Sequence, residues 1–236
     1  MDKLIIDWSH IPTYTTIMGI CAGSSLISIS SVGKKLLRKE LNPAGWSLNF
    51  TALGSVLLVT GAHMTLTWPL AIPFDNIVFG ETSFALGVLN LVLAFYLWKR
   101  RAALNDPYSV PIHIVSKELS PFRIVLVGLG LGIISIGCAA FQFRFFIAPP
   151  QEPIGGDVAS TFPVAENVVI SSIFLCVGLA ALLTTVFLSD YSEGKGVIKW
   201  YHKANYVLLQ VTGCFFLISG AIVYYTHIGL IIHTMK

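Results

Sequence analysis

The chain has 236 residues, of which 55% are hydrophobic and 11% charged, with a formal net charge of +3 and a mean hydropathy of +0.76. A soluble domain carries about 25% charged residues, so this composition excludes an ordinary soluble enzyme. It is equally far from a disordered tail, a collagen or a disulfide-stapled secreted module, and the class that remains is an integral membrane protein.

Stretches without Asp, Glu, Lys or Arg locate the spans, because a charge at the bilayer centre costs about 3 kcal/mol whereas Leu or Ile is favourable there. Six such stretches occur, at residues 8–33, 41–74, 82–98, 124–143, 167–189 and 204–235. A hydrocarbon core about 30 Å thick takes about 20 helical residues, so each stretch holds one helix. The expected fold is all-α: a six-helix transmembrane bundle forming one integral membrane domain over residues 1–236. The third stretch is the shortest, and its helix is expected to start near Phe79, with Glu81 at headgroup level.

Basic residues set the orientation, since they stay on the cytoplasmic side of short loops. Lys34, Lys35, Arg38 and Lys39 follow the first span, Lys99, Arg100, Arg101, Lys117 and Arg123 the third, and Lys195, Lys199 and Lys203 the fifth: 12 of the 15 Lys and Arg. The opposite side keeps Lys3, Arg144 and Lys236 beside the acids Asp2, Asp7, Asp75, Glu81, Glu152, Asp157 and Glu166. Both termini are therefore expected outside the cell membrane. Tryptophans agree, with Trp8 and Trp68 at outer helix ends and Trp46, Trp98 and Trp200 at inner ones. No small-x-small cleavage site follows the first apolar run, so a cleaved signal peptide is not expected. Cys21, Cys138, Cys176 and Cys214 lie within spans, form no C-x-x-C, and read as small apolar residues.

Glycine spacing points to an internal repeat. Gly54 and Gly61, Gly130 and Gly137, and Gly213 and Gly220 are pairs seven residues apart in spans two, four and six. Two helical turns separate the members of each pair, so both lie on one face and admit a neighbouring backbone. Span one adds Gly19 and Gly23. The expectation is a helical hairpin used three times, over about residues 8–74, 79–146 and 163–235, although glycine is also common in membrane helices generally.

The block Gly61-Ala-His-Met-Thr-Leu-Thr-Trp-Pro-Leu70, followed by Asn76-Ile-Val-Phe-Gly-Glu81, resembles the most recognisable stretch of an uncharacterised prokaryotic multi-pass integral-membrane family, a domain of unknown function. The resemblance implies a multi-pass membrane protein of a bacterium or archaeon and carries no activity with it.

Candidate chemistry is sparse. No ionisable Asp, Glu, Lys or Arg lies deep in a span, which disfavours an ion-coupled carrier. Span one carries Thr13, Thr15, Thr16, Ser24, Ser25, Ser28, Ser30 and Ser31, which could line a passive pathway or bond helices together. Asn90 and Gln210 are the deep amides. His63, five residues inside Trp68 with Thr60 and Thr67 on its face, is expected to face protein; it could be a hydrogen-bonded core histidine, a haem b or copper ligand, or a proton or quinone contact. His227 is the best partner for a bis-histidine site, with His10 and His233 also at the outer side. Asp75 and Glu81 on the loop above could add oxygen ligands. No Ser-His-Asp array, H-E-x-x-H, phosphate loop or dinucleotide fingerprint is present.

The leading expectation is a non-catalytic integral subunit or accessory protein of a larger membrane complex, with other membrane subunits and the lipid bilayer as partners, a redox assembly as one setting, and no nucleic acid. The alternatives are an electron-transfer subunit holding haem b or copper through His63 and His227, and a permease or channel for a small neutral solute along the span-one hydroxyls.

Overall fold

In a computed structural model the described residues are 6–8, 13–70, 72–105, 112–194 and 197–235. They form helices and no strand: α1 (Thr15–Arg38), α2 (Pro43–Thr67), α3 (Pro73–Lys99), α4 (Arg101–Asn105), α5 (Ile112–Phe143), α6 (Gly155–Thr161), α7 (Ala165–Ser192) and α8 (Trp200–Thr234). Six of these, α1, α2, α3, α5, α7 and α8, are long and apolar enough to cross a membrane. The expected Lys3, His10, Lys195 and Lys236 positions lie outside the described residues.

The chain alternates between a basic end, where α1, α3 and α7 finish, and an acidic end. Half of the most apolar stretch of α1 is buried, against 17% for α5, so α1 is the interior helix and α5 the peripheral one. Near the basic end Val32, Phe50, Ala94, Leu97, Leu104 and Val115 join α1 to α5 in one cluster. Leu26, Ala180 and Leu209 join α1, α7 and α8. At the acidic end the Phe146 ring stacks on Phe174 with centroids 5.6 Å apart, touches Phe79, and passes on through Phe174 to Phe216, so aromatic contacts bridge α3, α7 and α8.

The glycines mark the closest helix pairs: α2 with α3, α5 with α7, and α8 with α1. A Cβ added to Gly54, Gly130 or Gly213 would stand 3.0, 3.0 and 2.9 Å from the carbonyl oxygens of Gly87, Gly178 and Gly23. On Gly61 and Gly137 it would meet the Gly80 and Ser171 oxygens at 2.9 and 3.0 Å, and on Gly220 the Ile20 nitrogen at 2.7 Å. Each glycine-bearing helix thus lies closest to the helix across the acidic end, whereas the predicted segments 8–74, 79–146 and 163–235 group the helices across the basic loops.

The α2–α3 and α5–α7 pairs share further detail. Each first helix ends seven residues past its second glycine on a left-handed residue, Trp68 at φ 49° and Arg144 at φ 52°. A buried asparagine eleven residues before Gly87 or Gly178 then ties the crossing: Asn76 Oδ1 accepts from the Leu70 N–H at 3.0 Å, and Asn167 Oδ1 from the Phe146 N–H at 3.0 Å. In the α8–α1 pair hydrogen bonds replace the covalent link, since Ile6 N–H donates to the Thr234 carbonyl and Trp8 Nε1 to the Thr234 hydroxyl, both at 3.0 Å.

Two helix starts differ most from expectation. Helix α5 begins at Ile112, twelve residues before the ion-free stretch, and takes Lys117 and Arg123 into the helix. Helix α3 begins at Pro73, six residues before Phe79, and runs as a π-helical turn over Asn76–Glu81. Proline fits the first turn of a helix, and the Asn76 amide donates to the Leu70 and Ile72 carbonyls, so Asp75 and Glu81 are helical residues rather than loop residues.

Candidate functional site

Hydroxyls of α1 form the best-developed polar constellation. Ser25 Oγ accepts from Asn90 Nδ2 on α3 at 2.7 Å, Ser28 Oγ from Asn49 Nδ2 on α2 at 2.9 Å, and Ser30 Oγ from Gln210 Nε2 on α8 at 2.5 Å. Ser25 and Ser30 also donate back to the Cys21 and Ile27 carbonyls, the ordinary fate of a hydroxyl in a helix. Three consecutive levels of α1 are therefore each bonded to a different helix. Asn90 is fully buried, and its Oδ1 has no hydrogen-bond partner.

His63 is exposed, a correction to the expectation that it faces protein. Gly61 and Met64 occupy the contact face of α2, and a residue between them turns outward because successive helical residues point about 100° apart. Its Nδ1 lies 2.8 Å from the hydroxyl of Tyr14, whose phenol burial pushes up from its ordinary value. Thr60 and Thr67 donate to the Val56 and His63 carbonyls. His227 lies on α8 at the position corresponding to Trp68 and Arg144, seven residues past Gly220, within electrostatic reach of Glu152. Two residues on, Gly229 packs against Pro153. His63 and His227 therefore have different partners, and among the described residues no group of three or more His, Cys, Asp or Glu side chains is close enough to hold a metal. Asp75 is half-buried and Glu81 exposed, both on α3.

Two arrangements carry no motif in the sequence. At the acidic end Ile154 adopts φ 66°, ψ −59°, with Gly155 N–H donating to the Pro153 carbonyl at 2.7 Å. This is a γ-turn of the rare, strained hand; beside it the Gln151 carbonyl lies 3.0 Å from His233 Nδ1. At the basic end Asp190 Oδ2 gathers the first turn of α8, with Tyr201 Oη at 2.5 Å, Lys199 Nζ at 3.1 Å and His202 Nε2 at 3.2 Å. The Lys199 N–H donates to His202 Nδ1, which places the imidazole proton on Nε2, toward the carboxylate. Hydrogen bonds to Tyr201 and then Asp190 raise the Lys199 ammonium above its ordinary value. Nothing in the sequence states that α7 and α8 turn back on each other there.

No curated protein and no solved structure matches the chain. A family profile described as "Protein of unknown function (DUF981)" matches residues 10–229, nearly the whole length and including the Gly61–Glu81 block. The chain belongs to that family of proteins of unknown function.

Proposed function

We propose that the chain is a six-span integral subunit of a larger cell-membrane assembly, with its lysine-bearing turns in the cytoplasm and both ends outside. It contributes architecture rather than a reaction. The observation that carries this reading is the use of the interior polar atoms: the α1 hydroxyls that could have lined a passage accept hydrogen bonds from Asn90, Asn49 and Gln210, locking α1 to α3, α2 and α8. The matching registers of α2–α3, α5–α7 and α8–α1 support an origin in one two-helix unit used three times, the third copy being completed by the chain's own N-terminal helix. Neighbouring subunits have most room on α5, where Ile124 is 81% exposed and nothing lies within 4 Å of a Cβ placed on Gly128 or Gly132.

Purification in a mild detergent from the native membrane tests the reading. It expects stoichiometric co-purifying membrane chains, whose retention falls when Gly128 and Gly132 are both replaced by Ile. A lone monomer overturns it. A Soret band in the reduced-minus-oxidised spectrum, lost in both His63→Ala and His227→Ala, would establish the electron-transfer alternative instead.

A further inference from the structure

We propose that the seam between α1 and α8 at the basic end binds the phosphodiester headgroup of an anionic phospholipid. The inference rests on the membrane placement just proposed, but not on the presence of partner subunits. The two helices run antiparallel in a fixed register: Gly23 against Gly213, Ser30 against Gln210 at 2.5 Å, and Lys34 Nζ over the Tyr206 ring at 5.1 Å from its centroid. One turn further along α1 stands Arg38, and three residues before Tyr206 stands Lys203, so both lie beside the Lys34–Tyr206 contact. Lys34, Arg38 and Lys203 are exposed while Tyr206 is half-buried.

Neutralisation separates these cations from their neighbours. Among the described residues, Arg100 pairs with Glu118 and Lys199 with Asp190; none of Lys34, Arg38 or Lys203 pairs with a carboxylate. Among the described residues these three positive charges therefore stand without a carboxylate partner, the Lys34 ammonium over the Tyr206 ring, at the level where Trp200, 78% exposed, marks the headgroup zone. Basic pockets between spans on the cytoplasmic side suit anionic headgroups.

The surface below the cations has the form of an acyl-chain track. Counting down α8 from Lys203, Val207, Val211 and Ile218 all lie on one outward stripe and are 53%, 56% and 59% exposed. A diester phosphate reaching Lys203 from the seam would leave its chains along that stripe, on the side of α8 turned away from the Gly213 and Gly220 contacts with α1. A free phosphate would use the cations and ignore the stripe, which is the chemical distinction between the two sources of the anion.

Native mass spectrometry of the full-length protein in neutral detergent, titrated with phosphatidylglycerol, phosphatidylcholine or inorganic phosphate, tests the proposal. Phosphatidylglycerol is expected to bind at least tenfold more tightly than phosphatidylcholine, with millimolar inorganic phosphate failing to displace it. Each of Lys34→Gln, Arg38→Gln and Lys203→Gln should weaken it about fivefold, from about 1 kcal/mol per cation. Lys99→Gln with Lys117→Gln, on other helices of the same end, should change nothing, and Lys34→Arg with Lys203→Arg should preserve selectivity even if a neutral variant misfolds. Equal binding of the two lipids, displacement by phosphate, or an equal loss in the Lys99/Lys117 variant each overturns the proposal. A lone monomer that still selects phosphatidylglycerol would defeat the subunit reading and leave this one standing.

Discussion

Asn90 on α3 donates its amide proton to the hydroxyl of Ser25 on α1 across 2.7 Å, in a position closed to solvent. The bond sits one turn from Gly87, whose lack of a side chain lets α3 approach α2. One short stretch of α3 thus meets two helices, one by hydrogen bonding and one by backbone proximity.

The Asn90–Ser25 pair should show a coupling of about 0.6 kcal/mol, the usual scale for a polar bond between membrane helices. Because Asn90 Oδ1 is already unpartnered, Asn90→Leu removes one bond and one buried orphan acceptor together. Its cost should therefore be small, whereas Asn90→Asp should be severe. A double-mutant cycle with Ser25→Ala, read by unfolding in detergent, measures the coupling; a value above about 2 kcal/mol would mean that the pair anchors a wider network.

Glycines should divide into two classes. A methyl group on Gly23 would stand 2.5 Å from the Gly213 oxygen, and on Gly87 2.5 Å from the Leu58 nitrogen, so Gly23→Ala and Gly87→Ala should lower Tm by several degrees. Gly128→Ala and Gly132→Ala meet open space and should leave Tm unchanged or raise it, since alanine gains up to about 1 kcal/mol over glycine in a helix. Thermal scans of the four variants decide, and equal losses in both classes would contradict the packing described.

Removing the Asp190 carboxylate should release the start of α8. Asp190→Ala leaves Tyr201 and Lys199 without their common acceptor and removes the charge that faces His202, so acylation of the Lys199 amine should quicken several-fold. The Arg100–Glu118 pair at the same end should be untouched, and acylation of Lys117, exposed on α5 at that end, is the internal control. An unchanged Lys199 rate would show that the carboxylate does not hold that turn.

Topology is checked with cysteine chemistry. A cysteine introduced at Lys35, in a variant whose four native cysteines are replaced by serine, should resist impermeant maleimide in intact cells and react after permeabilisation. A cysteine at Thr161, at the other end of the bundle, should react in intact cells. The opposite pattern would invert the orientation and move His63 and His227 to the cytoplasmic side.

Much of this architecture was legible in the linear chain because solvation acts residue by residue. Charges bound the apolar cores of the six helices, whose ends lie up to a dozen residues from the limits of the ion-free stretches. Helix α3 is instructive: Glu81 limits the ion-free stretch, yet the helix already starts at Pro73, because Glu81 is exposed within it and Asn76 organises the turn before it. The glycine pairs were visible as a spacing, but their partners Gly87, Gly178 and Gly23 were not. His63 shows the same limit, since depth along a helix is countable while the direction it faces depends on which residues its neighbours need.

By itself the sequence determined that six apolar helices form and which end of each carries the cations, since hydrophobic transfer and charge solvation are summed locally along the chain. Only the tertiary structure decided that α8 pairs with α1 from opposite ends of the chain, that Asp190 meets His202, and that the serines of α1 are acceptors for amides on three helices. Those outcomes depend on close packing and hydrogen-bond geometry between segments far apart in the chain, 226 residues for the Trp8–Thr234 bond, where the chain's order no longer constrains which surfaces fit.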